Sequence, residues 1–210
     1  MRNRSHTCPA DPSLRFPALA CVLLLVSAAW VEGVAHAGES TDRADAAAYT
    51  RSELQVAVPD IDVITADGRR SSLRAELEVD GPVLVNFIFT SCSAICPVLS
   101  TAFAQMQQRM AAGNDRIRLV SISIDPEHDT PRALTAYAQR YRAGPDWRFL
   151  TGTVRDSVAA QRAFQVYRGN KMGHVPVTFI RARRGAPWVR IEGLASADAL
   201  WREYRRAADS

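Results

Sequence analysis

The chain has 210 residues, 47% of them hydrophobic and 23% charged, enough for one ordinary core and too few for two full domains. Its net charge of +4, from 26 basic and 22 acidic side chains, is spread along the sequence, and the short clusters Arg181–Arg184 and Arg202–Arg206 read as solvated faces. That distribution argues against a nucleic-acid partner, which needs massed basic residues with interleaved aromatics.

Residues 1–37 have the pattern of a targeting segment. Arg2, Arg4 and Arg15 precede the apolar run from Phe16 to Val31, and Ala35-His36-Ala37 is a small-x-small cleavage pattern. The apolar run is near the lower limit for spanning a bilayer, so the segment is expected to be either a cleaved signal peptide or an uncleaved N-terminal anchor. Both readings export the globular part, to the periplasm or an equivalent compartment, and only the anchor tethers it to the inner membrane. Residues 38–53 are polar and alanine-rich and are expected to form a linker, partly helical near the domain, with the globular domain at 54–210. Loss of the leader would remove Cys8 and Cys21 and leave Cys92 and Cys96 as the only thiols.

From Val56 onward, short apolar runs alternate with longer stretches of helical period. Val83–Phe89 and Ile117–Ile124 are near-continuous, β-branched runs of the kind found in strands buried on both faces. Between them, Val98, Phe103, Met106 and Met110 mark one helical face, with Pro97 suited to the first turn and Gly113 to the stop. This strand-helix-strand unit implies a parallel pair. A second helix is expected from Thr130 as N-cap and Pro131 behind it, with Leu134, Tyr137, Ala138 and Tyr141 as its apolar stripe. A short strand at Trp147–Gly152 and a helix over 153–167 follow. Val175–Ala182 and Pro187–Gly193 then read as a β-hairpin turning near Gly185, with a terminal helix over 196–207. The order is that of an α/β thioredoxin-like fold, a mixed central sheet with helices on both faces.

The first strand-to-helix junction carries "FTSCSAICP", residues 89–97. If the helix begins near Cys92 or Ser93, the spacing of the cysteines places both sulfurs on one face of its first turn. A helix N-terminus favours thiolate over thiol, so the pair suits either a disulfide or a shared metal ion. A structural disulfide is a weak alternative, because so short a loop gives little chain-entropy stabilisation. Two thiolates leave copper(I), a soft ion that readily accepts three ligands, short of one donor. Of the histidines, His6 and His36 accompany or border the leader, and His128 lies in a polar turn. His174, in a glycine-containing loop running directly into a predicted strand, is the candidate third ligand, with Met172 as an auxiliary donor.

Four stretches in order, "FTSCSAICP", "SISIDPEHDTPRALTAYA", "WRFLTG" and "GHVPVTF", resemble the SCO/SenC family of thioredoxin-like copper chaperones. The resemblance covers residues 54–205. It implies a copper site made by Cys92, Cys96 and His174. It further implies delivery of copper to the binuclear copper centre of cytochrome c oxidase, or thiol service to that centre's cysteines, so that the apo oxidase subunit or another cuproprotein and a thiol reductant are the expected partners. Gly173 stands where many members have aspartate, and Asp125 matches a family position where it would serve as a supporting group, a copper(II) contact or a turn-forming helix cap. Two further readings stay open. One is a thiol–disulfide oxidoreductase using the Cys92/Cys96 redox pair, with His174 as spectator or proton carrier. The other is a peroxidase, since the cysteine loop, with Ser93 three positions before Cys96, loosely resembles that of peroxiredoxins.

Overall fold

Among the residues described by the computed structural model, 49–113 and 115–210, the chain runs β1 (Tyr49–Leu54), β2 (Asp62–Thr65), β3 (Arg70–Ser72), α1 (Leu73–Leu77), β4 (Val83–Ile88), α2 (Ile95–Gly113), β5 (Arg118–Ser123) and α3 (Pro131–Arg140). It continues through β6 (Trp147–Thr151), α4 (Val154–Ala163), a 3-10 turn at Lys171–Gly173, β7 (Val177–Arg181), β8 (Trp188–Gly193) and α5 (Ala197–Ala208). The expected leader, with Cys8, Cys21, His6 and His36, and the expected linker up to residue 48 lie outside the described residues.

All eight strands join one sheet in the order β1-β8-β7-β4-β5-β6-β2-β3. The pairs β4–β5 and β5–β6 are parallel and the rest antiparallel, giving the mixed sheet expected. Alternation along β4 explains its uniformly apolar sequence. Val83, Val85 and Phe87 face α1 and α4 and pack with Leu73, Leu77, Ala160 and Phe164. Leu84 and Ile88 face α2, α3 and α5, among Phe103, Met106, Leu134, Tyr137 and Leu200. With both faces covered, every residue of β4 is buried. Thr130 caps α3 as expected, its Oγ1 accepting the Ala133 N–H at 3.2 Å, with Pro131 at the start of the helix.

Several expectations are corrected. Val98 is 45% exposed, and the inward face of α2 is built from Cys96, Leu99, Phe103, Met106 and Met110. Arg181 is buried instead of solvated; its guanidinium donates to the Leu77 and Val79 carbonyls at 2.6 and 3.0 Å and lies over the Trp188 ring. The β2–β3 hairpin and α1 had no sequence counterpart. The linker ends earlier than residue 53: Tyr49–Leu54 is an edge strand in antiparallel register with Trp188–Gly193.

That strand is locked to α5 by a buried carboxylate. Glu203 accepts from the Tyr49 hydroxyl at 3.0 Å and from Arg51 Nε at 2.9 Å. A protein shortened to begin at Gln55 should therefore lose about 2–4 kcal/mol of stability, somewhat below the range for breaking a fully buried pair because Arg51 is partly exposed. Chemical denaturation of the two lengths checks this; equal midpoints would show that β1 is a passive strap.

Candidate functional site

The candidate site forms where β4 leaves the sheet. The Cys92 N–H donates back to the Phe89 carbonyl at 3.1 Å, turning the chain so that Cys92 lies just ahead of α2. The helix begins at Ile95, not at Cys92 or Ser93 as expected, so the sulfurs meet because the turn folds back over the helix start and not through spacing along one helical face. The Cys96 N–H points at Cys92 Sγ, 3.5 Å away. Cys92 is half-buried, whereas Cys96, second residue of α2, is fully buried in the core; both are free thiols.

Their environments separate their acidities. Burial resists ionisation of Cys92, but the backbone N–H groups of Cys96, Ala94 and Ile95 and the Cys96 thiol outweigh it and hold Cys92 below the usual thiol range. Burial pushes Cys96 far above that range; the Phe89 N–H opposes this, while the Cys92 sulfur and the Asp129 carboxylate add to it. The arrangement is an asymmetric dithiol, with one accessible thiol whose ionisation is favoured and one buried thiol whose ionisation is opposed.

Sequence reasoning missed Asp129. This fully buried carboxylate accepts the Thr90 N–H at 3.1 Å, the Thr90 hydroxyl at 2.6 Å and the Ser123 hydroxyl at 2.6 Å. It thereby fastens the cysteine turn to the end of β5. The only local signal was an acidic residue immediately before the Thr130 cap, which reads equally well as helix-start chemistry.

His174 follows the 3-10 turn Lys171–Gly173, whose start is capped by Asn170; the Asn170 side-chain oxygen accepts from the Met172 and Gly173 N–H groups at 2.8 and 3.2 Å. The imidazole lies near the Phe87 carbonyl, and its edge meets the Phe89 ring at 6.4 Å between centroids. Nε2 is buried without any hydrogen-bond partner. Burial lowers the histidine's pKa; the Phe87 carbonyl opposes this and the nearby Arg168 guanidinium reinforces it. Burial thus favours the neutral ring and leaves Nε2 without a protein partner, as a nitrogen that is to bind a metal requires.

The remaining candidates separate. Met172 is 79% exposed, its sulfur chemistry open to solvent. The His128 ring is largely exposed and lies 2.9 Å from Asp125 through Nδ1. Asp125 does not cap α3, a role taken by Thr130, and its carboxylate is occupied by Lys171 and His128. Burial favours its protonation, but those two partners prevail and hold it below the usual carboxylate range. Cys92 and Cys96 are therefore in direct contact, while His174 reaches them through Phe89, whose N–H meets Cys96 and whose ring meets the imidazole. Among the described residues, no three His, Cys, Asp or Glu side chains are gathered closely enough to hold one metal ion. A cleft of about 340 Å³ opens between the β2–β3 turn, α3 and the start of β6, lined by residues that include Asp67, Thr135, Trp147 and Arg148 and by none of the three candidates. No helix among the described residues is long and apolar enough to cross a membrane.

Comparison with known proteins matches the SCO1/SenC family model over residues 63–207. The SCO1 protein homolog of Bacillus subtilis is 40% identical over 94 residues, 44% of this chain and 47% of the relative. The chain thus spans about half the length of the curated relatives it matches. Among solved structures, BsSco, described as a member of the Sco family of cytochrome c oxidase assembly proteins with a disulfide switch, superposes with a TM-score of 0.62 at 24% identity, over 76% of this chain and 98% of that one. Yeast Sco1 with copper bound gives a TM-score of 0.62 at 17% identity, over 75% and 95%. At such identities these two establish the fold, and the sequence match establishes the lineage: the chain belongs to the SCO1/SenC family.

Proposed function

We propose that this protein is an exported copper carrier serving cytochrome c oxidase assembly. It holds the ion through the Cys92 and Cys96 sulfurs and His174 Nε2, and passes it to the binuclear copper site of an apo oxidase subunit. The observation carrying this reading is His174 Nε2, a buried nitrogen with no protein partner, with Phe89 meeting both its ring and Cys96. Buried polar atoms are rarely left unpaired, and an imidazole nitrogen that shares Phe89 as a neighbour with Cys96 is suited to join the two thiols around a soft cation. Copper here is cargo. Two thiolates and one imidazole satisfy copper(I) and leave room for a partner's ligand to approach, so release proceeds by ligand exchange at Cys92, the more accessible sulfur. The position of copper-bound and oxidase-assembly relatives in the same fold is consistent with that cargo and that client. The leader pattern at residues 1–37 supports export.

The test is a metal count on reduced protein purified from copper-supplemented cells. One copper per chain is expected, and metal-free protein under conditions where both thiols remain reduced would refute the carrier reading.

A second reading, thiol–disulfide exchange, is favoured specifically by the Cys92/Cys96 asymmetry. The Cys92 thiolate would attack a partner disulfide, forming a mixed disulfide and releasing one partner thiolate. Cys96, once deprotonated, would attack the Cys92 sulfur and release the second. The partner leaves as a dithiol, and this protein leaves as a disulfide that a thiol reductant must restore. The same two sulfurs serve both readings, so His174 separates them.

A further inference from the structure

His174 is not within metal-holding distance of both cysteines, which makes the device that governs its loop decisive. Three contacts converge on one residue there. Lys171 opens the 3-10 turn that precedes His174, and its carbonyl accepts the His174 N–H at 3.2 Å. Its ammonium is ion-paired with Asp125, on the loop leaving β5, and sits 5.7 Å above the Phe89 ring. Asp125 is in turn fixed, its N–H donating to the Ser123 hydroxyl at 3.0 Å, and that hydroxyl donates to Asp129, the carboxylate that fastens the cysteine turn through Thr90. A single polar chain therefore runs from Thr90, two residues before Cys92, through Asp129, Ser123, Asp125 and Lys171 to the backbone of His174.

We propose that Lys171 is a positioning residue, whose bridge to Asp125 registers the His174 loop against the cysteine turn so that Nε2 closes on the copper held by the two sulfurs. This rests on the copper-carrier reading and adds to it the element that brings the third donor into place. Lys171 touches neither the sulfurs nor the imidazole; it acts through the turn that begins with it. The partly buried bridge has a consequence for ligand exchange. A loop tied to Asp125 and Phe89 through one ion pair and one cation–π contact of Lys171 can close on the ion and still be released when a partner takes it.

The experiment compares Lys171→Met, Asp125→Asn, the double variant and Lys171→Arg in the full reduced chain, with His174→Ala as reference. Lys171→Met should weaken copper(I) binding roughly 10-fold to 100-fold, the usual cost of losing a group that orients a ligand. It should also move the copper(II)-thiolate absorption toward that of His174→Ala. Asp125→Asn should do the same, the double variant should be no weaker than either single one, and Lys171→Arg should restore most of the loss. Alkylation of Cys92 should be unchanged in all of them, separating a positioning effect from general loosening. If His174→Ala loses copper while Lys171→Met keeps the wild-type affinity and spectrum, the positioning role is overturned and the carrier reading stands. If His174→Ala itself binds as wild type, the three-donor site fails first.

Discussion

Replacing His174 with alanine should lower the copper affinity of the reduced protein by about 100-fold or more, above the cost of losing a mere orienting group, and leave the rate of thiol exchange at Cys92 unaltered. Nε2 is the only buried side-chain polar atom of this loop with no protein partner, and burial and the nearby Arg168 guanidinium favour its neutral form. Removing it leaves copper with two sulfurs, one of which has to be drawn out of the core environment that protonates it. Cys92 owes its acidity to backbone N–H groups of residues 94–96 and to Cys96, none of which depends on His174. Competition titration against a copper(I) chelator, beside iodoacetamide kinetics on the same preparations, reads both quantities. Copper binding that survives intact would remove His174 from the site, and loss of both activities together would mark the histidine as a structural support for the cysteine turn.

How far the sequence reached into this arrangement follows burial and sequence distance. Strands β4 and β5 were legible because both of their faces are covered, which writes the fold into composition. The start of α3 was legible because a Thr-Pro cap acts within four residues. Strand β1 was not: its residues are half-buried or exposed without full alternation, carry Arg51 and Glu53, and become a strand only by pairing with β8 and Glu203, far along the chain. Val98 failed for a related reason. Helical period identifies a stripe but not which way the helix is rolled, and the roll of α2 is set by where Cys96 and Leu99 enter the core.

At the site, the chemically distinctive residue types were visible and their supports were not. Cys92, Cys96 and His174 stand out by type and by position at element boundaries. Asp129 reaches Thr90 across 39 positions, and Lys171 reaches Asp125 across 46, contacts that no local pattern encodes. The same holds for the difference between the cysteines. Their spacing is symmetric in the sequence, and only the turn at Phe89 reveals that one sulfur faces the backbone donors while the other is sealed in the core.

That asymmetry yields the sharpest kinetic prediction. In the reduced protein at pH 7, Cys92→Ser should react with iodoacetamide about 100-fold more slowly than Cys96→Ser. An ordinary thiol is a few per cent ionised at that pH; Cys92 is held below the usual range and Cys96 is pushed far above it behind a wall of core side chains. The rate for Cys96→Ser should climb with pH and level off below the pH at which a free cysteine does. The two groups also act oppositely on stability. The lowered value of Cys92 stabilises the fold above the unfolded thiol's pKa, and this is lost as pH falls through the folded value. The raised value of Cys96 stabilises it below the unfolded thiol's pKa, and this is lost as pH rises through the alkaline range. Favoured ionisation of Cys92 favours the reduced pair, so a thiol reductant can reopen the disulfide and return the sulfurs to the copper-binding form. Equal alkylation rates for the two single variants would mean that the buried thiol is freely exposed in solution, and the division of labour between an exchanging sulfur and a retaining one would have to be abandoned.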